Sequence, residues 1–418
     1  MEHLAVYLNT NKVGILQPYK GSFFKFRYND DWIRNANAVP LSRSLPLQAD
    51  FFTVKKSRAF FSGILPEGIQ RERIEKILKI SNNNDYQLLK KIGGDCAGAV
   101  SIYPNNVIPS DSSQGMVNPL TKKELIKVIN ELPTKPLLAG KKGLRLSLAG
   151  AQTKIPVILQ NNKICLPYND LPSTHILKPE PSHFKGLAIN EVFCMKLAKN
   201  SGLNVPGVEY RIIGDKPTIL IQRYDRIKKT DRITRIHQED FCQALGIPPE
   251  RKYQAEGGPT INQCITLLRD WSSVPALDII NFMNAVIFNV IIGNTDAHGK
   301  NFSFLYAGKN RSLAPNYDLV STLAWPELST ELAMTIGSSK SINVFGIGEW
   351  KKMTLRNTLG WPMVRKRIEL LALTVVKESE TVQINPNGDD DEITEILKDV
   401  INSRARKLLD ALAHQNVV

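Results

Sequence analysis

Between Ile279 and Ile292 the chain reads "IINFMNAVIFNVII", fourteen residues in which only Asn281, Asn284 and Asn289 interrupt an apolar run. A helix that is apolar on every side cannot lie on a protein surface and must be packed around by other elements. The run is shorter than the roughly 20 apolar residues that a bilayer span requires, so it predicts a buried core helix. It ends at Gly293, and the chain continues as "NTDAHGKNFSFLYAGKNRSLAPNYDLVS", from Asn294 to Ser321. A central helix therefore delivers Asp296, Asn301 and Asp318 into one polar loop region. Two readings fit that loop: a turn using Asn and Asp for local backbone bonds, or a site where oxygen ligands converge on a metal.

With 418 residues, 42% hydrophobic and 22% charged, the chain has material for two or three cores. Residues 1–103 read as an α+β subdomain with its own core, with strand patterns in "LAVYLN", "KVGILQ" and "SFFKFRY" and helical ones in "ERIEKILKI" and "DYQLLKKI". Pro, Asn, Ser and Gly then cluster without periodicity over residues 104–120, marking a linker or long loop. Residues 121–236 form a strand-rich lobe, opened by a helix with Thr121 and Glu124 in capping-box spacing and containing "LRLSL", "KIPVIL", "THILKP", "GVEYRII" and "PTILIQRY". The helix "NEVFCMKLAKNSG" interrupts those strands, and Gly202 is placed to stop it. Residues 237–418 read as almost wholly helical, ending in a segment where Ile393, Ile396, Leu397, Val400 and Ile401 recur at helical spacing. A strand-rich lobe followed by a helical one predicts an α+β, two-lobed protein-kinase-like fold with an additional N-terminal subdomain.

The five cysteines are scattered and include no C-x-x-C pair, which excludes the usual zinc and dithiol signatures. Together with an opening "MEHLAVYLNT" that lacks a basic-then-apolar leader, this predicts a cytoplasmic protein without a membrane partner. The net charge of +14 serves either solubility or attraction to a polyanion. The basic residues are dispersed and carry no zinc-finger or RNA-binding signature, so direct sequence-specific DNA reading is not expected.

Phosphoryl transfer from ATP needs a loop over the phosphates, a lysine on their oxygens, a base beside the acceptor hydroxyl, and ligands for magnesium. Asp296 and Asn301 have the D-x-x-x-x-N spacing of a kinase catalytic loop, and Asp318 follows seventeen residues after Asn301. Asp296 is then the base, Asn301 and Asp318 the Mg2+ ligands, and His298 an aid to phosphate charge. "SLAGAQTK", Ser147 to Lys154, has small residues that admit an anion to the backbone, although a tight hairpin would use the same ones. Lys178 in "HILKP" suits phosphate binding or an edge-strand lysine reaching solvent. Glu191 suits a partner for that lysine or the dipole of its own helix. The extended segment holding Gln222 and Tyr224 could read an adenine edge through its backbone, with Tyr224 against the ring.

Taken together, "SLAGAQTK", "HILKP", "QRYDR", "HQEDFCQALGIP", "KYQAEGG", "GNTDAHGKNFS" and "YDLVS", with "FFSGILPEG" and "IGGDCAGAV" nearer the start, resemble the HipA family of bacterial serine/threonine kinase toxins over nearly the whole chain. The resemblance implies that Asp296 is the catalytic base and that Asn301 and Asp318 bind Mg2+. It also implies that Lys178 and the loop of Leu148, Ala149, Gly150, Ala151, Gln152, Thr153 and Lys154 contact ATP, and that Ser147 is autophosphorylated. A helix-turn-helix antitoxin that binds operator DNA, and a protein substrate among translation components such as aminoacyl-tRNA synthetases, are the implied partners. At "QRYDR" the chain departs from relatives that carry Glu and Phe in place of Gln222 and Tyr224. Two further readings stand beside the toxin kinase: a degenerate kinase acting as a corepressor with its antitoxin, and a small-molecule or lipid kinase on a related fold.

Overall fold

A computed structural model describes residues 3–105, 107, 118–169, 171–228, 232–357, 359–384 and 392–414. Most of the stretch read as a linker, residues 106 and 108–117, lies outside the described residues. The chain divides into two compact units: residues 1–181, 211–250 and 305–310 make the first, and residues 182–210, 251–304 and 311–418 the second.

The first unit begins with an antiparallel sheet of strands β1 (Leu4–Leu8), β2 (Asn11–Tyr19), β3 (Phe23–Tyr28) and β4 (Val100–Pro104), in the order β3-β2-β1-β4. In β3 the alternation is direct: Phe24, Phe26 and Tyr28 are buried, while Phe23, Lys25 and Arg27 face outward. Three helices accompany the sheet, Val54–Phe61, Gly68–Ile77 and Asp85–Ile92. The first and third start at capping side chains, Thr53 and Asn84, which accept from the backbone N–H groups of Lys56 and Gln87. The helix Lys122–Glu131 opens with the expected capping box, Thr121 and Glu124 bonding each other's backbone N–H groups.

A second sheet in this unit has the order β6-β5-β7-β9-β8, from β5 (Ile155–Gln160), β6 (Lys163–Cys165), β7 (His175–Pro179), β8 (Val208–Ile213) and β9 (Lys216–Gln222). Only Arg211–Ile213 of β8 belong to the first unit. Residues 1–103 were expected to have a core of their own; most of their buried side chains instead join one cluster running from Leu4, Phe26 and Phe61 through Leu146, Ile155 and Leu177 to Leu220, while Ala5, Tyr7 and Tyr103 form a small one apart. Periodicity identifies an apolar face but not the distant segment it meets. The segment Leu144–Leu148, read as a strand, is extended but joins no sheet, making a single bridge between Leu146 and Asp95.

The second unit is built around the expected core helix, Pro275–Ile292. It is long and apolar enough to cross a membrane by composition, but it packs against the helices Ile261–Trp271, Trp361–Ser379 and Glu392–Ala413. Arg404 ties the last of these to its end, the guanidinium donating to the carbonyls of Val290 (2.9 Å) and Ile342 (2.6 Å). In Glu392–Ala413 the buried stripe is Leu397, Ile401, Ala405, Leu408 and Leu412, whereas Ile396 is exposed. The region after His237 is also less helical than its composition implied: strands occur at His237–Asp240, Ser303–Ala307, Asn310–Leu313, Glu331–Ile336 and Ser339–Ser341. All five cysteines are buried and none forms a disulfide.

Candidate active site

The polar loop is shaped by the way the core helix stops. Gly293 takes a left-handed φ of 72°, its N–H reaches the Val290 carbonyl, and the Asn294 N–H reaches back to Asn289 at 2.8 Å. This pair of bonds closes the helix end and turns the chain sharply away. A side chain at position 293 would press on Leu323, whose Cδ1 lies 3.0 Å from the Cβ position. Asn294 is then held by Asn289 (Nδ2 to Oδ1, 2.8 Å), and its own Oδ1 accepts the backbone N–H of Asp296 at 3.0 Å. Thr295 is fixed on its other side, its N–H donating to Thr322 Oγ1 (3.0 Å) and its carbonyl accepting from Ala333 (2.9 Å).

Asp296 is half-buried, and its Oδ1 accepts a 2.7 Å hydrogen bond from the hydroxyl of Tyr253. The Tyr253 ring meets His298 edge-on at 5.2 Å. Gln254 in turn bonds Thr335, accepting from its backbone N–H at 2.9 Å and donating to its hydroxyl at 3.0 Å, which fixes the segment that carries Tyr253. Burial holds the His298 imidazole below its ordinary pKa against the opposing pull of Asp296, so the ring is neutral at neutral pH and brings no positive charge.

Asn301 and Asp318 line one small cavity together with Asn294 and Asn316. Asp318 has a left-handed φ of 59°, a conformation that aspartate tolerates better than most residues. The segment after it is anchored by Asn190, whose side-chain amide donates to Ser321 O (2.9 Å) and accepts the Ser321 N–H (2.8 Å). Among the described residues no group of three His, Cys, Asp or Glu side chains could cage a metal. One carboxylate and one amide oxygen on a shared cavity suit Mg2+, which completes its shell with phosphate and water.

The expected ATP-contacting residues Lys178, Leu148–Lys154, Gln222 and Tyr224, and Ser147, lie in the first unit, whereas Glu191 lies buried in the second. Lys178 is 5% exposed on β7, between β5 and β9, so it is not a lysine reaching solvent from a sheet edge. In the loop of Leu148–Lys154, Gly150 has φ 101°, and the Lys154 ammonium donates to the Ala149 carbonyl at 2.7 Å. Ser147, just before it, is fully buried, its hydroxyl donating to the Ile64 carbonyl at 2.8 Å. Gln222 is exposed and Tyr224 half-buried, whereas the residues alternating with them, Arg223 and Asp225, turn inward. They join Asp95, Arg226 and Arg235 in a buried ion network, with Arg223 to Asp225 at 2.7 Å and Arg226 to Asp95 at 2.9 Å.

An α+β fold of protein-kinase type carrying these residues defines a class, and comparison with known proteins narrows it. Residues 146–382 match the HipA-like C-terminal domain and residues 4–103 the HipA N-terminal domain. The chain belongs to the HipA family. It is 44% identical over 347 residues to "Putative kinase Y4mE" of Sinorhizobium fredii, covering 82% of this chain and 83% of that one. It is 29% identical over 384 residues to the serine/threonine-protein kinase toxin HipA of Shewanella oneidensis, covering 88% and 86%. The solved complex of Shewanella oneidensis HipA with HipB and operator DNA superposes with a TM-score of 0.87 at 27% identity, over 99% of both chains.

Tyr253 escaped the sequence reading, although "KYQAEGG" was among the motifs; a tyrosine advertises its partner only in three dimensions. Tyr253→Phe keeps the ring against His298 and removes the hydroxyl's bond to Asp296. Since hydrogen bonds to charged groups contribute about 1.5–3 kcal/mol, turnover is expected to fall by roughly 10- to 100-fold with the ATP KM little changed. Steady-state kinetics of the variant checks this, and an unaltered kcat would remove Tyr253 from the site.

Proposed function

We propose that the chain is an ATP- and Mg2+-dependent protein serine/threonine kinase that acts as the toxin of a toxin–antitoxin pair. The observation that carries the reading is the second unit's loop: a carboxylate steadied by Tyr253, with Asn301 and Asp318 on one cavity nearby in sequence and fold. Asp296 would accept the proton of the acceptor hydroxyl, which Tyr253 helps by holding the carboxylate in one orientation. Asn301 and Asp318 would hold Mg2+, which when bound neutralises phosphate charge. Lys178 and the Leu148–Lys154 loop would contact the ATP phosphates, the backbone near Gln222 and Tyr224 the adenine, and His298 would act as a neutral hydrogen-bonding ring.

Autophosphorylation at Ser147 belongs to the same reading. A phosphate brings a charge of about −1.5 to −2. A fully buried position cannot accommodate that charge, so modification would require this segment to leave its place and would take the adjoining loop with it. Arg145, two residues earlier in the chain, is already engaged with the carbonyls of Lys90 and Ile102. A helix-turn-helix antitoxin, operator DNA bound through it, and a translation component as substrate in the cytoplasm complete the proposal. The HipA–HipB–operator complex of the Shewanella relative supports the first two.

The alternative, a degenerate kinase serving as corepressor, is disfavoured by the presence of Lys178, Asp296, Asn301 and Asp318 together. Incubation of the purified chain with γ-labelled ATP and Mg2+, with and without lysate, separates the readings. Label is expected on protein and absent when magnesium is withheld, and Asp318→Ala should lose magnesium-dependent ATP binding. No transfer to any protein, with nucleotide affinity indifferent to magnesium, would favour the corepressor.

A further inference from the structure

The loop of Leu148–Lys154 is tied internally by the Lys154 ammonium on the Ala149 carbonyl and externally to a short segment of the N-terminal region, Ile64–Gln70. Ile64 gives its carbonyl to the Ser147 hydroxyl at 2.8 Å. Pro66 and Gly150 pair as a parallel bridge, and the Glu67 N–H donates to the Gly150 carbonyl at 3.2 Å. Gln70, in the first turn of the helix Gly68–Ile77, donates from Nε2 to Thr153 Oγ1 at 2.9 Å. These contacts follow the loop in register from its start to its penultimate residue, so the segment acts as a template laid along it.

Gln70 is the side chain of that template. It is 9% exposed, and its Oε1 finds no hydrogen-bond partner among the described residues, so the bond to Thr153 is the polar contact for which the amide is buried. Keeping an amide at a nine-tenths buried position for one bond to a half-exposed loop residue is costly for stability alone, because an unsatisfied buried oxygen carries a penalty. Gly68 takes a left-handed φ of 53°, the backbone turn that starts the helix beside the loop, and the nearest loop atom to its Cβ position is Ala151 Cβ at 3.9 Å, an ordinary van der Waals contact.

We propose that Ile64–Gln70 of the N-terminal region pre-shapes the phosphate loop for ATP, with Gln70 as a positioning residue acting through Thr153. The proposal rests on the reading of Leu148–Lys154 as the ATP loop. It makes the N-terminal region a part of the nucleotide-binding machinery, and it makes the grip of this segment a control point for ATP affinity.

Gln70→Leu keeps approximate size and removes the bond from one side; Thr153→Val removes it from the other at a half-exposed position where folding is not at stake. Each full-length variant is compared with the parent in two measurements: amide hydrogen exchange across residues 147–154 without nucleotide, and affinity for a fluorescent ATP analogue. Both variants are expected to speed exchange in that stretch while leaving β5 and β7 protected. From the loss of one buried hydrogen bond, ATP affinity should weaken by roughly three- to tenfold in both variants. The double variant should be no worse than either single one, since both remove the same contact. Unchanged exchange in 147–154 in both variants overturns the template. Faster exchange with unaltered affinity for the analogue leaves the template standing and overturns the assignment of the loop to ATP.

Discussion

Asp296→Asn is expected to abolish most phosphoryl transfer, lowering the rate by roughly 10²- to 10⁴-fold, as loss of a general base typically does. The substitution is well matched to the site. The amide has the size of the carboxylate, and its oxygen can still accept the Tyr253 hydroxyl, which now lies 2.7 Å from Oδ1. The backbone N–H of residue 296 would keep its bond to Asn294, and the loop would keep its course. What the amide cannot do is take up a proton. Nucleotide binding, which the proposed function assigns to Asn301, Asp318 and the loop of Leu148–Lys154, should therefore survive. Initial rates of label transfer and an ATP titration on the same preparation test both halves, and a variant that transfers phosphate at the parent rate would show that the base lies elsewhere.

The second large effect concerns stability. Asp95 is 2% exposed and accepts from Ser173 Oγ (2.6 Å) and Arg226 (2.9 Å), with Arg223 and Arg235 each 3.4 Å away. Burial by itself would push this carboxyl up, but Arg226, Arg223 and Arg235 outweigh it and hold the group well below the usual carboxylate range. In Asp95→Asn, the buried guanidinium groups of Arg223 and Arg226 keep only the carboxylate of Asp225 between them, and Arg235 loses its ion pair with Asp95. Breaking a buried pair by removing one partner costs about 3–5 kcal/mol, and a loss of that size is expected in urea unfolding. The pH dependence has a definite sign. Because the folded carboxyl is depressed relative to an unfolded value of about 3.9, its contribution is complete above that pH and is lost only as pH falls towards the folded value. The difference between parent and variant should thus be constant from neutrality down to mildly acidic conditions and shrink in strong acid. A variant within about 1 kcal/mol of the parent at pH 7 would mean that the network contributes little beyond its own desolvation.

Local features of the chain were legible where one short stretch carries the whole cause. Thr121 and Glu124 form their capping box, the helix Leu187–Asn200 ends just before Gly202 with its φ of 84°, and Gly293 closes the core helix. The loop residues Asp296, Asn301 and Asp318 were visible for the same reason, since their spacing is itself the signal. What escaped was anything decided by a distant partner. "QRYDR" offers no hint that Arg223 and Asp225 turn inward to Asp95, more than a hundred residues earlier in the chain. Nor does it show that Gln70 would meet Thr153. The last helix shows the limit in a milder form: helical spacing was right, but Ile396 is 39% exposed, because the choice among neighbouring apolar residues is made by the helix they pack against.

The scattered make-up of the first unit bears on how the protein comes into being. Its core needs Leu4 and Leu220 together, and its last piece is residues 305–310, where the Tyr306 hydroxyl donates to the buried Glu239. At a synthesis rate of about 5–20 residues per second, β1 has to wait on the order of ten to forty seconds for β9 to leave the ribosome. During that interval its apolar face has only a partial set of neighbours, which invites chaperone capture. A nascent chain released before residue 310 lacks a piece of the unit that carries Lys178 and the Leu148–Lys154 loop, so that unit is completed only in the late part of translation.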